Sequence, residues 1–282
     1  MLPAVKLWLW LVLCDSKQDN HSRKINTGRI GTHDRITRPE SVAVMTENKS
    51  LAFGSSDLSL PDDVRGPLVE HLADLKERYL QRGWGNRVGF GSRPALIVID
   101  LALYWTQPDH QIGTQADSVV EATCQVLAAS REAGIPIFFT SLAFDLADPP
   151  SPQNKKLVLQ LTPDDAPLFD LDDRLQHRPS EKLILKRYAS AFKGTNLHEM
   201  LTSLGVDTLI VTGLSTSHCV YATCRDAVDS FRVIVPREAV GERCEIMHMV
   251  NLLDIDIDLG DVMPVDEVSR LVRATAAGSE DS

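Results

Sequence analysis

The chain has 282 residues, 43% of them hydrophobic, and a formal net charge of −10, which is enough apolar content for one large domain or two small ones. The acidity argues against a nucleic-acid or anionic-membrane surface, and no basic cluster, repeat, heptad or Pro-rich segment offsets it. The five cysteines (Cys14, Cys124, Cys219, Cys224 and Cys244) form neither a Cys-x-x-Cys pair nor a zinc spacing, so free thiols and a cytoplasmic protein are expected.

Residues 2–14 are the one membrane-like stretch, shorter than the ~20 residues of a spanning helix. Lys6 interrupts its apolar run, no small-residue cleavage site follows, and bulky Leu13 stands where a lipoprotein box wants a small residue. Residues 15–49 are polar and aperiodic, which reads as disorder. The expected layout is a disordered leader over 1–55, with Met45 the expected true start, then a helical arm and linker over 56–91 and one domain over 92–282.

Pro61 opens the arm helix. Val64, Leu68, Leu72, Leu75 and Tyr79 recur at steps of three and four, and Gly83 closes it. Such an arm packs on the domain or on a neighbouring subunit. The Gly-rich link 83–91 follows a helix and leads into a strand, the reverse of what phosphate binding needs, and reads as a connector.

Residues 95–100 form an apolar strand ending in Asp100, followed by a helix over 118–133 that stops at Gly134 and a strand over 135–140. Residues 144–178 are a surface excursion. A short strand over 183–186 ends in Lys186. Thr195 caps a helix over 196–204, and a strand over 208–212 runs into Gly213 without alternating polar residues, as a strand buried on both faces does. Val220, Thr223, Ala227 and Val228 then place a helix start near Ser217. Strands over 231–235 and 261–263 and helices over 245–253 and 266–273 complete the chain. Strands alternating with helices predict an α/β fold, a doubly wound, mostly parallel sheet with helices on both faces.

Ligands in such sheets bind at the carboxyl ends of strands beside a change in strand order. Asp100, Lys186 and Cys219 each lie at or just past such an end. A thiol at a helix start is expected to ionise more easily than a free one, a carboxylate can take its proton, and an ammonium can hold the developing charge. Singly, Asp100 reads equally as a turn residue, Lys186 as a surface charge and Cys219 as one more buried cysteine. The three together are a harder coincidence.

Residues 95–100, the run Leu-Lys-Arg-Tyr-Ala-Ser-Ala-Phe-Lys-Gly-Thr over 185–195 and Asp-Thr-Leu-Ile-Val-Thr-Gly-Leu-Ser-Thr-Ser-His-Cys-Val over 207–220 resemble the isochorismatase-like cysteine hydrolases, of the N-carbamoylsarcosine amidohydrolase type. Residues 237–243, His248, 251–254 and 260–262 extend the likeness across about 82–272. It implies a triad of Asp100 as general base, Lys186 as partner and Cys219 as nucleophile, with a cis Leu214–Ser215 bond that turns N–H groups toward the substrate oxygen. Asp100 would also activate the water of the second step. Ser215 and Thr216 would contact substrate. Arg243 would clamp a substrate carboxylate, or else simply pair with Glu242 or Glu245; Tyr104 and Trp105 would wall the pocket or serve as core aromatics.

The stretch after Asp100 offers only His110 and not the Asp-x-His pair of metal-binding relatives, so no metal and no cofactor are expected. True isochorismatases lack the cysteine. His218 stands where relatives often carry glycine, and reads as a group that narrows the substrate range or shuttles a proton, or as a solvent-facing histidine. The resemblance implies release of ammonia from a small-molecule amide or carbamoyl substrate, N-carbamoylsarcosine first, then maleamate, biuret or a ureido acid. It also implies a homo-oligomer, a tetramer by preference. A catalytically silent binding protein is the reading from another class, and the intact triad argues against it.

Overall fold

The computed structural model describes residues 58–144, 156 and 161–277, all within a compact unit spanning 48–282. The expected leader with Cys14 and Met45 lies outside the described residues, as do 145–155 and 157–160 of the excursion. In chain order the elements are α1 (Asp62–Gln81), β1 (Pro94–Ile99), α2 (Leu103–Thr106), α3 (Asp117–Ala133), β2 (Ile137–Leu142), β3 (Lys182–Lys186) and α4 (Leu197–Ser203). Then come β4 (Thr208–Leu214), α5 (Tyr221–Ala227), β5 (Arg232–Pro236), β6 (Val240–Gly241), α6 (Glu245–Asp254), β7 (Asp261–Met263) and α7 (Val265–Ala277).

The strand order is β3-β2-β1-β4-β5-β7, with β6 also paired to β4, and every pairing between these strands is parallel. The chain winds outward from β1 through β2 to β3, then crosses back to lay β4 against the other side of β1. The order therefore reverses between β1 and β4, which opens a crevice at their carboxyl ends.

Alternation along the strands divides the core into two layers. Ala95, Ile97 and Ile99 of β1 join Leu209 and Val211 of β4 in packing against Leu197 and Leu201 of α4 and Cys224 and Ala227 of α5. Leu96, Val98 and Ile210 face the other way, onto Val120, Val126 and Leu127 of α3 and Val268 and Val272 of α7. Each Val, Leu or Ile among them contributes about 1.5–3 kcal/mol when removed from water, so the two central strands anchor both layers.

Some boundaries differ from the sequence reading. The strand expected over 135–140 runs Ile137–Leu142: Pro136 has no N–H to give the ladder, and only its carbonyl joins, accepting from Leu96 N–H at 2.9 Å. A π turn over Thr216–Val220 comes between β4 and α5, so the regular helix starts at Tyr221 rather than near Ser217. α1 forms as expected, with Asp62 and Asp63 in its first turn, yet it buries no residue. Polar contacts hold it: Arg65 Nε lies 2.6 Å from Glu245 Oε1 and Lys76 Nζ 2.5 Å from Asp256 Oδ2.

Gly213 has φ 107°, and a Cβ there would stand 2.0 Å from the carbonyl oxygen of Ile99 on β1. The strand that leads into the Cys219 turn and the strand that leads into Asp100 can therefore close on each other only through glycine. Gly213→Ala should lower the free energy of unfolding by about 3 kcal/mol, measured by urea denaturation. A midpoint matching that of the unsubstituted protein would refute this close approach.

Candidate active site

Three strand ends converge on the crevice. Asp100 directly follows β1 and adopts φ 50°, a left-handed conformation that aspartate tolerates better than most residues. Its N–H is held by both the carbonyl and the hydroxyl of Thr140 on β2, at 3.2 and 3.1 Å. That same hydroxyl donates to Asp100 Oδ1 at 2.7 Å. The carboxylate is thereby fixed in direction by its neighbouring strand.

Lys186, the last residue of β3, shares the face of Ile184 and is fully buried. Its Nζ lies 2.7 Å from Asp100 Oδ2, and it donates to the Tyr188 carbonyl at 3.1 Å and to Cys219 Sγ at 3.4 Å. The three side chains that the sequence marked out are thus brought together at the β1/β4 switch point. Burial works against the Lys186 charge, but the adjacent Asp100 carboxylate and the Cys219 sulfur outweigh it and raise the lysine pKa.

Cys219 does not behave as the sequence reading expected. Burial pushes its thiol pKa up, and the Asp100 carboxylate adds to the rise against the opposing pull of Lys186. Both causes favour the neutral thiol beside the lysine–carboxylate pair. Position at a helix start argued for easy ionisation, but the cost of burying a thiolate is set by distant parts of the chain.

The backbone preceding the thiol contains a cis bond between Leu214 and Ser215. Ser215 is buried, and its Oγ has no hydrogen-bond partner among the described residues. Thr216, expected at the substrate, uses its hydroxyl elsewhere: it donates to the Gly241 carbonyl at 2.9 Å and lies 2.9 Å from His248 Nδ1. Tyr104 is buried against Phe169, and burial first, then the nearby Asp100 carboxylate, raises its phenol pKa. Trp105 packs beside the Tyr104 ring, with centroids 6.1 Å apart.

Arg243 takes the pairing the sequence left as its alternative, with Glu242, whose Oε1 is 3.4 Å from Nη1; Glu245 is engaged by Arg65 instead. Glu242 itself escaped the sequence reading as a site residue. Its fully buried side chain accepts from Ser217 N–H (2.8 Å), Ser217 Oγ–H (2.5 Å) and Arg243 N–H (2.9 Å). It therefore ties the π turn carrying Cys219 to the loop before α6. Thr140 and the Tyr188 carbonyl were missed as well; the one available signal was that the strand expected over 135–140 ends at Thr140, as the strand expected over 95–100 does at Asp100.

A thiol held protonated reacts slowly with alkylating agents at neutral pH. Iodoacetamide modification of Cys219, followed by peptide mass spectrometry, should still be accelerating above the ~8.5 midpoint of an ordinary thiol. A rate that levels off at lower pH would mean the thiolate is the resting form.

The Isochorismatase domain family matches residues 94–267 of this chain. N-carbamoylsarcosine amidase from Arthrobacter sp is 39% identical over 225 residues, covering 76% of this chain and 85% of that protein. Maleamate amidohydrolase from Pseudomonas putida is 34% identical over 198 residues, covering 68% of this chain and 93% of that protein. A solved cysteine hydrolase from Pseudomonas syringae pv. phaseolicola shares the fold, with a TM-score of 0.61 at 21% identity over 67% of this chain and 97% of that one. With the parallel sheet, the strand-end residues and a domain match over more than half its length, this chain belongs to the isochorismatase family.

Proposed function

We propose that this protein is a cysteine amidohydrolase that releases ammonia from a small amide or carbamoyl compound, with N-carbamoylsarcosine the leading candidate. The observation that carries this reading is the buried Asp100–Lys186 pair with Lys186 Nζ 3.4 Å from Cys219 Sγ. The 39% identity to an N-carbamoylsarcosine amidase supports the substrate class.

In the first step the thiol gives its proton to Asp100 as sulfur attacks the amide or carbamoyl carbon. Lys186 stabilises the sulfur while the charge moves. The oxyanion is received by the N–H groups of Ser215 and Cys219 on the turn after β4. Asp100 then passes the proton to the departing nitrogen, so ammonia leaves neutral and the carboxylate is regenerated beside Lys186. The acyl or carbamoyl group left on Cys219 is hydrolysed by water.

Around this machinery, the orphaned Ser215 hydroxyl offers a hydrogen bond to substrate and Tyr104 closes one wall. Arg243, about one-third exposed and paired with Glu242, reaches the mouth as the clamp for a substrate carboxylate. Maleamate or a ureido acid is the second reading. Its support is the 34% identity to a maleamate amidohydrolase together with the same basic group at the mouth.

The protein is also read as a homo-oligomer. Neither α1 nor α6 buries a residue, and the two adjoin while exposing Val64, Tyr79, Ile246, Met247 and Val250. An apolar surface of this kind favours a second copy. Light scattering should give a mass of at least two chains, and a stable monomer at micromolar concentration would overturn this part.

Ammonia release should be assayed on N-carbamoyl amino acids, maleamate, biuret and nicotinamide with a chelator present throughout. Turnover is expected on at least one carbamoyl or acid amide, and Cys219→Ala should reduce it by at least about a thousandfold. Activity that survives the substitution would sink the cysteine mechanism; loss on chelation would sink its metal independence.

A further inference from the structure

The second half-reaction needs a base for the attacking water, and the geometry around Asp100 is poor for that task. Asp100 is fully buried; Thr140 Oγ1 lies 2.7 Å from its Oδ1 and Lys186 Nζ 2.7 Å from its Oδ2. Both oxygens are engaged, and the group is closed off from solvent. His218 also reaches the sulfur. It is only half-buried, and its Nδ1 is 3.5 Å from Cys219 Sγ. A carbonyl carbon bonded to that sulfur falls within reach of Nδ1 through one water.

We propose that His218 is a second acid–base group of this site, the one that takes the proton of the water hydrolysing the Cys219 acyl-enzyme. The proposal rests on the cysteine-hydrolase reading and goes beyond it by giving the two half-reactions different bases. Asp100 serves the buried transfer from thiol to departing nitrogen, and His218 serves the step that admits solvent.

The step balances. Water gives one proton to Nδ1, its oxygen bonds to the acyl carbon, and the carbon–sulfur bond breaks. The imidazolium then returns the proton to the leaving sulfur, which restores the neutral thiol and a neutral imidazole. Nδ1 must begin with a lone pair, so Nε2 carries the ring hydrogen.

The surroundings suit a neutral base. Burial lowers the His218 pKa, and the positive charges of Arg243 from the loop before α6 and Lys186 from β3 lower it further, against the opposing carboxylates of Glu242 and Asp100. A lowered pKa keeps the basic form present at neutral pH, and the form is lost only as pH falls below that of an ordinary histidine, ~6.5.

The test needs no knowledge of the natural substrate. Wild type, His218→Asn and His218→Gln would be treated with p-nitrophenyl acetate. Formation and decay of acetyl-Cys219 would be followed by mass spectrometry from about pH 5 to 8. Decay is expected to slow by about a hundredfold in both variants, with formation much less affected, and the acid limb of the wild-type decay profile should disappear. Formation of the adduct also reports that each variant is folded around its thiol. Equal decay in wild type and variants, or an acid limb that persists without the imidazole, would overturn the role of His218 alone. A wild type that never forms acetyl-Cys219 would overturn the cysteine-hydrolase reading and this proposal with it.

Discussion

The burial of one ion pair governs the site. Asp100 and Lys186 have no exposed side-chain surface and meet at 2.7 Å. Taking either charge out of water alone costs several kcal/mol, and removing one partner of such a pair typically costs about 3–5 kcal/mol because the other is left uncompensated. Asp100 therefore helps hold Lys186 in its charged form. A third charge in the same small volume is disfavoured: Lys186 favours the thiolate, but burial and Asp100 oppose it more strongly. The neutral thiol is favoured beside the ion pair, and in the proposed mechanism its proton moves as the bond to carbon forms.

That arrangement demands positional control, and the sheet supplies it. Asp100 and the Cys219 turn leave adjacent strands whose register is continuous from Pro94 opposite Thr208 to Ile99 opposite Gly213. Lys186 arrives two strands away, on β3, with its ammonium directed by the Tyr188 carbonyl. Glu242 and the Thr216–His248 contact then fasten the Cys219 turn to the β6–α6 connection and to α6 itself. The turn is held from both ends, so the position of Sγ does not depend on α5 alone. Rigid elements carrying each group are what let a site work at the tolerance of a few tenths of an ångström.

How much of this could be read from the residues follows from how local each cause is. β1 and β4 were legible because a strand buried on both faces must be apolar throughout. α3 was legible from its periodicity and the left-handed Gly134 that ends it. The convergence of Asp100, Lys186 and Cys219 was legible once the strands were placed, since parallel sheets put their carboxyl ends together. The ionisation of Cys219 was not, because burial is a property of the assembled core. Nor was the commitment of Thr216 to Gly241 and His248, or the buried position of Glu242, since a Glu-Arg pair in sequence looks the same on a surface. The short helix α2 gave no periodic signal at four residues. The π turn at the nucleophile likewise depends on contacts from the β6–α6 loop and not on local propensity.

A protonated thiol would be a disadvantage for a nucleophile if thiolate attack were the only requirement. For an amide it is matched to the harder problem, the poor leaving group. An amide nitrogen departs only when it receives a proton, and in the proposed mechanism that proton is the one the thiol surrenders, carried across by Asp100. Nothing from solvent is needed until the acyl-enzyme exists. Burial of Asp100 and Lys186 thus favours the first half-reaction and hinders the second, for which water must enter. His218, half-buried with its Nδ1 3.5 Å from Sγ, is the group proposed to meet that requirement, so that a buried carboxylate and a more exposed imidazole would serve the two half-reactions of one sulfur.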